Sequence, residues 1–563
     1  MVLSVLVVGA GPVGLTLAAE LARQGGHCRL IDQLSEPLPY CRAIGITPRS
    51  LEIFAALGLA QPLIDAGVWL EPMATVMDQR WLPAPPEAGS VAEPPPSLGR
   101  CGPVPYGDLG VPQPELERQL SRLVQSGGVD LERNVRLDAL QPLPPAAAGG
   151  PSPGVTVTLL HGDGRREQQT VQVVVGCDGA HSSVRHALAI PFEGEAMEAA
   201  FMLGDVAIDW DLPRGVPLRA LRLPSEPGPP EFFVAIPLPE PGRYRVSMLA
   251  PADLDAAGPT RGDGVAHGLA AGGDGPDLEV LQQVADALLV PPVPRLRDLR
   301  WSSTYRISMR LAADYQRGGV FLAGDAAHIH PPTGGQGMNT GIQDAHNLAW
   351  KLALVQRGLA PLSLLDSYAA ERRPVGAAVI RRTLEASLNF GREQAPPDPL
   401  VNTQLLETYR GSAWVRDGEP VPAPEDLRAG DRAPDAEGLR RRHVAMPLRL
   451  SELLRAPRHA LLISLPAGAD PAPARALAAR LRQQLPAALL QSHLIALGPP
   501  PPECHELAVI ADAAGQFAAS YGSEPQALLV RPDGHIAWRQ LGLLEHPDVP
   551  EALREVLGLT FSP

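Results

Sequence analysis

Residues 3–32 read LSVLVVGAGPVGLTLAAELARQGGHCRLID, and no other stretch so narrows the folds open to the chain. Val5 to Val8 is an unbroken apolar run, the pattern of a parallel strand covered on both faces. Gly9-Ala10-Gly11-Pro12-Val13-Gly14 follows as a GxGxxG turn. Gly9 permits the tight turn, Gly11 lets backbone approach a pyrophosphate, and Gly14 lets helix and strand pack closely. The helix that begins there presents free N–H groups and the positive end of its dipole to phosphates. Asp32 ends the next strand, close to the place of an acid that binds an adenosine ribose. Strand, turn, helix and acid together predict a dinucleotide-binding α/β domain. A glycine-rich turn without ligand would account for the glycines but not for their setting. The motif alone does not separate FAD from NAD.

A second stretch, VFLAGDAAHIHPPTGGQGMNTGIQDAHNLAWKLA from Val320 to Ala353, places one carboxylate between a buried strand and a buried helix. Asp325, after Gly324, can accept hydrogen bonds from ligand hydroxyls. Pro331 and Pro332 stiffen the loop and remove donors. Gly334, Gly335 and Gly337 leave backbone amides bare. The helix is predicted from about Thr340, with Ile342, Ala345, Leu348, Leu352 and Val355 at helical spacing. Its N-terminus, near Met338 and Asn339, would stabilise negative charge. A third stretch, CDGAHSSVR from Cys177 to Arg185, follows the apolar strand VQVVVG.

The chain has 563 residues, too many for one compact core, so about two to four domains are expected. FFVAIPL and RYRVSML alternate as antiparallel strands do. Residues 81–105 and 251–280 read as loops. EQAPPDPLVNTQ and PVPAPEDLRAGDRAPD mark boundaries, followed by a strand (ALLISL), a helix (PARALAARLRQQL), a strand (HLIAL) and a hairpin (ALLVRPDGHIAWR) turning on Pro-Asp-Gly. A net charge of −14 without a basic stripe speaks against nucleic acid and anionic membranes as partners. The five cysteines form no CxxC and no metal-ligand spacing. That pattern implies a reducing cytoplasmic setting and no metal. The N-terminal apolar run flows into glycines and reads as a strand, not a signal peptide. No apolar run is long enough to span a bilayer.

The three stretches, GAGPVG with Asp32 and Arg42, CDGAHSSVR, and the Gly324-Asp325 loop, resemble in order the class A flavoprotein aromatic hydroxylases. That group includes the para-hydroxybenzoate, phenol and polyketide hydroxylases. The resemblance spans residues 2 to about 375. It implies an α/β fold: a Rossmann-like FAD-binding domain of the glutathione-reductase type, with an inserted antiparallel substrate sheet. Residues 430–563, through GDRAPD and RPDGHIAWR, resemble the thioredoxin-like extension of such enzymes, here lacking CxxC and left with Cys504 alone. The implied division is 1–190 and 306–395 for the FAD domain, with 69–105 open to joining the substrate domain. Residues 191–305 form the substrate sheet, 396–429 a linker and 430–563 the thioredoxin-like domain. Every motif assigned to FAD lies before Gly376, so removing 430–563 is expected to leave flavin binding largely intact.

The resemblance further implies FAD contacts from Gly9, Gly11, Pro12, Val13, Gly14, Asp32, Arg42, Gln113, Asp178, Gly324, Asp325, Pro332, Gly334, Gly335, Gly337, Met338 and Asn339. Asp32 stands where the family more often has Glu, one methylene longer. His181 and Arg185 are candidates for NADPH or NADH; a surface histidine and a surface ion pair are the plain alternatives. No second GxGxxG is present, so that cosubstrate binds transiently. The implied activity is hydroxylation of a phenolic or polycyclic aromatic with NAD(P)H and O2, through an oxygen adduct at the flavin C4a. A related flavin-dependent dehydrogenase or epoxidase, or a non-catalytic flavin-binding protein, remains open. The halogenase signature WxWxIP is absent. A homodimer is possible. No catalytic acid or base is assignable; Arg222, Tyr244, Arg245 and Trp301 are candidates on the substrate sheet, each equally plausible as packing or surface.

Overall fold

The structure is a computed structural model that describes residues 3–38, 43–82, 102–144, 154–223, 230–251, 265, 268–269, 275–389, 400–485, 488–501, 507–542, 553 and 555–557. Arg42, Cys101, Cys504 and most of the loops expected at 81–105 and 251–280 lie outside the described residues. Among the described residues no helix is long and apolar enough to cross a membrane.

The first apolar run forms the strand Val5–Val8, buried throughout, in a six-stranded sheet. Its order is Gln316–Arg317, Val320–Leu322, Val173–Gly176, Val5–Val8, Arg29–Asp32 and Asp130–Arg133. All pairs are parallel except the hairpin of Gln316–Arg317 with Val320–Leu322. The register decides where the motifs go. Val8 lies opposite Gly176, and Gly176 lies opposite Leu322. Three strands far apart in sequence therefore end level with one another, and each leads directly into one of the three motifs. Crevices outside the carboxyl ends of such strands are where open α/β sheets bind ligands.

The alternating stretches build a second, largely antiparallel sheet. Its order is Gly268–Leu269, Leu296–Ala312, Phe192–Ile208, Arg243–Leu249, Glu231–Pro237, Leu218–Arg222, Ala74–Met77 and Arg80–Trp81. One face packs on the helix Leu278–Leu288, through Met202, Val206, Phe233, Val246, Leu281 and Ala285. The 17-residue strand Leu296–Ala312 runs out of this sheet and pairs at Arg310 and Leu311 with Ile329 and His328, just past Gly324-Asp325. One continuous strand thus joins the two halves.

The C-terminal part has a sheet of order Arg416–Asp417, Ile536–Leu541, Gln526–Val530, His459–Leu465, Leu490–Ala496, Ala508–Asp512 and Leu439–Arg441. Its strand Ala508–Asp512 and helix Gln516–Tyr521 are additions to the elements read from sequence. The Pro-Asp-Gly hairpin does form, between Gln526–Val530 and Ile536–Leu541. Its tip is buried against the long helix Gly337–Gln356. That helix begins three residues before the predicted Thr340, because its first turn, with Met338 alone packed on the core, carries no repeat of apolar residues to register. It is also buried on nearly every side, not on one stripe, since the hairpin covers its outer face.

Candidate functional site

Side-chain absence brings the motifs together. Gly9 adopts φ +101°, and a Cβ there would lie 2.4 Å from the Cys177 carbonyl oxygen. A Cβ on Gly14 would lie 1.9 Å from the Gly9 carbonyl oxygen. Val13 fills the gap between the first and third motifs: a Cβ on Gly324 would sit 2.8 Å from its Cγ2, and one on Gly341 2.6 Å from it. The GxGxxG turn thus touches the Cys177-Asp178 loop on one side and the Gly324-Asp325 turn on the other. Gly341, absent from the residues picked out by sequence, is as tightly placed as those that were.

Asp32 accepts from the Ala10 amide at 2.6 Å and from the Leu34 amide at 2.8 Å, so its carboxylate first braces the turn. Pro12 occupies the first helical turn. Gln113 is buried, accepts from the Ala43 amide at 3.3 Å and donates to Glu117 at 2.7 Å. It therefore fixes the chain next to the undescribed Arg42. Asn339 is a latch: its Nδ2 donates to the carbonyls of Gly45 (2.9 Å) and Gly335 (2.8 Å), and its Oδ1 accepts from the Thr47 amide (3.1 Å). Pro332 precedes a turn in which Gly334 and Gly335 take φ of +78° and +64°. Asp325 is exposed, without a hydrogen-bond partner among the described residues.

Asp344 anchors this third motif. It is fully buried and accepts from the Gly324 amide (3.1 Å), from His328 Nε2 (2.8 Å) and from Arg372 Nε (2.7 Å). Burial alone would raise its carboxyl, but the Arg372 guanidinium and the hydrogen bonds from Arg372 and His328 hold it below the usual range. Tyr368 donates to the Leu322 carbonyl at 2.6 Å, tying the same turn to the helix Asp366–Leu388. Sequence reasoning passed over Asp344 and Arg372, because Asp344 is one polar residue among several on its helix.

Arg185 departs from expectation. It is neither in a surface ion pair nor exposed to a cosubstrate: its guanidinium is fully buried and donates to the carbonyls of Ala326 (3.0 Å) and Ala180 (2.7 Å). It clamps the second motif to the third. His181 is half-buried beside it. On the substrate sheet, Arg222 makes an exposed cross-strand ion pair with Glu231, and Tyr244 packs edge-on against Trp210 on the face covered by the helix. Both are packing or surface residues.

The opposite face carries different side chains. Phe201, Tyr305 and Phe232 form an aromatic row, with centroids 5.4 and 6.0 Å from Phe201. The Tyr305 hydroxyl lies 3.2 Å from Ser247 Oγ, and burial pushes its pKa up to about 12. Arg245 stacks over Trp301 at 4.4 Å. Ile236 and Leu238 on the neighbouring strand pack with Ile44, next to the strand Gly45–Ile46 that Asn339 latches, so this face looks toward the nucleotide-binding half.

Residues 2–383 match the family described as FAD binding domain. The chain belongs to that family. Residues 426–560 match the aromatic-ring hydroxylase C-terminal family, and with both matches the chain is a class A FAD-dependent aromatic hydroxylase. It is 35% identical over 448 residues to a flavin-dependent monooxygenase of Mycobacteroides abscessus, covering 77% of this chain and 84% of that one. It is 30% identical over 551 residues to pentachlorophenol 4-monooxygenase of Sphingobium chlorophenolicum, covering 95% and 93%. The solved structure of aklavinone-11 hydroxylase with FAD and aklavinone superposes with a TM-score of 0.73 at 25% identity, over 99% and 98% of the two chains.

FAD fits the residues present. A Cβ at Gly11, Gly179 or Gly335 would meet nothing within 4 Å, leaving space beside each motif. No side chain caps the helices that start at Pro12 and Gly337, so their first amides keep donors to spare. Among the described residues Asp178 Oδ1 is buried without a partner, an acceptor that a ligand hydroxyl would satisfy.

Proposed function

We propose that this FAD-binding hydroxylase consumes NADPH or NADH and O2 to add one oxygen atom to a phenolic or polycyclic aromatic ring. The observation that carries the substrate class is the row Phe201, Phe232 and Tyr305 on the sheet face turned toward the nucleotide-binding half. Flat aromatic walls with one hydroxyl pair suit a large ring bearing a phenolic oxygen. The relatives named for chlorophenol and aklavinone support the same class.

When bound, the flavin supplies the redox chemistry, and the protein supplies binding, orientation and a dry site. In this reading the amides at Gly11 to Gly14 hold the pyrophosphate, with Pro12 and Val13 shaping the turn. Asp32 reaches the ribose through its remaining lone pairs, and Arg42 and Gln113 secure the flank. Asp178, Gly324 and Asp325 take the ribityl hydroxyls. Pro332, Gly334, Gly335 and Gly337 border the ring, and the amides of Met338 and Asn339 face its electron-rich edge. His181 stays a candidate contact for the nicotinamide cosubstrate, with Arg185 as its buried support. Tyr305, protonated at neutral pH, orients the substrate oxygen together with Ser247.

The domain division given from the sequence belongs to this reading, as does a thioredoxin-like C-terminal module. Supporting the latter, His459–Leu465, the helix Ala472–Gln484 and Leu490–Ala496 form a parallel β-α-β unit, extended by the antiparallel hairpin. A cytoplasmic homodimer completes it.

The test is incubation of purified protein with NADPH or NADH, oxygen, and a panel of phenols and polycyclic phenols. The expected result is ring-stimulated cosubstrate oxidation and a product heavier by one oxygen. A product that has lost hydrogen without gaining oxygen would reassign it as a dehydrogenase. Tyr305→Phe should raise KM and uncouple oxidation from product formation.

A further inference from the structure

A cluster of buried charge links the C-terminal sheet to the flavin loop. Arg531, at the hairpin tip, donates to both oxygens of Glu371 (2.7 and 2.9 Å), and Lys351 donates to the same carboxylate at 2.8 Å. These side chains are at most 2% exposed. Glu371 is followed on its helix by Arg372, which turns the other way: it donates to Asp344 at 2.7 Å and to the Thr340 carbonyl at 3.1 Å. Asp344 in turn holds the Gly324 amide. A second path runs in parallel. His535 of the hairpin packs on Tyr409 with centroids 4.1 Å apart, and Arg372 donates to the Tyr409 hydroxyl at 3.2 Å.

We infer that the hairpin Gln526–Leu541 is a positioning element of the flavin site, acting through Glu371, Arg372 and Asp344 on the Gly324-Asp325 turn. It touches neither flavin nor substrate; Arg531 is a positioning residue. The physical basis is that a fully buried charge has no substitute partner nearby. Without Arg531, Glu371 keeps one cation, Lys351, beside the neutral donors Asn347 and Ser412, and the helix Asp366–Leu388 can bring its carboxylate closer to Lys351 only by moving. Close-packed helices do not deform smoothly, so Arg372 moves with its neighbour and loosens its hold on Asp344. The inference rests on the reading of Asp325 as a flavin contact.

The experiment uses the full chain. Arg531→Met should weaken FAD binding by about tenfold or more and alter the visible circular dichroism of the bound flavin. Leu477→Ala is the control: it opens a cavity in the same sheet's core without removing a charged partner, and should lower the melting temperature while leaving FAD affinity near wild type. Arg531→Met that folds with wild-type FAD affinity and dichroism overturns the inference. So does Leu477→Ala weakening FAD as much, since the effect would then be general instability. Should Arg531→Met fail to fold, the wild-type protein still decides. By reciprocity, FAD binding must slow hydrogen exchange in the 526–541 hairpin; unchanged exchange there overturns the inference. Asp325→Ala separates the two levels: if it leaves FAD affinity intact, the site reading falls, and if only Arg531→Met does, the site stands and the coupling falls.

Discussion

Asp325 and Asp344, nineteen positions apart in one loop and helix, show two uses of a carboxylate. Asp325 is exposed and has spare acceptors; Asp344 is buried, with three donors around it. Their substitutions should therefore fail differently. Asp325→Ala should leave the melting temperature of the apo-protein unchanged and weaken FAD by roughly ten- to a hundredfold, the worth of one charge-assisted hydrogen bond. Fluorescence titration with FAD would measure it. Asp344→Asn instead strands the Arg372 cation and should cost about 3–5 kcal/mol of stability, read by thermal or denaturant unfolding of the apo-protein. The sequence announced Asp325, because a carboxylate after a strand and before bare glycines has few other reasons to be there. It hid Asp344 and Arg372, and the buried setting of Arg185, because their partners lie on other elements. A buried guanidinium and a surface one are the same letter until the neighbouring backbone is known.

At the scale of elements, contact distances decide where helices may begin. The helices Pro12–Arg23 and Gly337–Gln356 meet through Val13, Gly324 and Gly341, with a Gly341 Cβ only 2.9 Å from Gly324 Cα. Gly341→Ala gains helix propensity, about 1 kcal/mol in an open helix. Here it should instead prise the two helices apart, costing about 1–3 kcal/mol. FAD should be lost with it, measured as a lower ratio of bound flavin to protein after purification. The strands and the first helix were legible because their apolar patterns are local. The start of Gly337–Gln356 was not, since it is set by the Asn339 latch onto Gly45 and Gly335. The strand Ala508–Asp512 is an apolar run, AVIA, without alternation and without a motif after it to mark it.

For the molecule as a whole, buried ionisable groups set the response to acid. Burial alone would raise the carboxyls of Glu52 and Glu371, yet the cations beside them, Arg432 and Arg49 in one case and Arg531 and Lys351 in the other, hold both at about 2. Burial pushes His535 down to about 4 and His459 down to about 3. In every case the unfolded chain takes up its proton at higher pH than the folded one, so stability falls with pH. The histidine share is lost from about 6.5 downward and the glutamate share from about 4.5 to 2. Burial also lowers Lys351 from 10.5 to about 8, which adds stability as pH rises across that interval. Melting temperatures measured between pH 8 and 4 should decline steadily, and a flat profile would contradict the buried cluster. The same cluster reverses the expectation that residues 430–563 are dispensable for flavin. Arg432 pairs with Glu52 at 2.5 Å, and Arg531 with Glu371, so deletion takes one of two cations from each of two buried carboxylates inside the nucleotide-binding half and leaves them Arg49 and Lys351. A chain ending before 430 should be poorly soluble and purify without flavin.

The level ends of Val5–Val8, Val173–Gly176 and Val320–Leu322 also govern how the protein is made. A ribosome adds about 5–20 residues per second, so the Gly11 turn waits roughly 15–60 s for the Gly324 loop to emerge. From its own emergence until Val320–Leu322 follows, Val173–Gly176 is an apolar strand with one edge unpaired, the kind of surface that recruits strands from other chains. The flavin cannot shorten the wait, for its second wall does not yet exist. The sheet that separates the first two strands from the third in sequence thus keeps that edge open until late in translation.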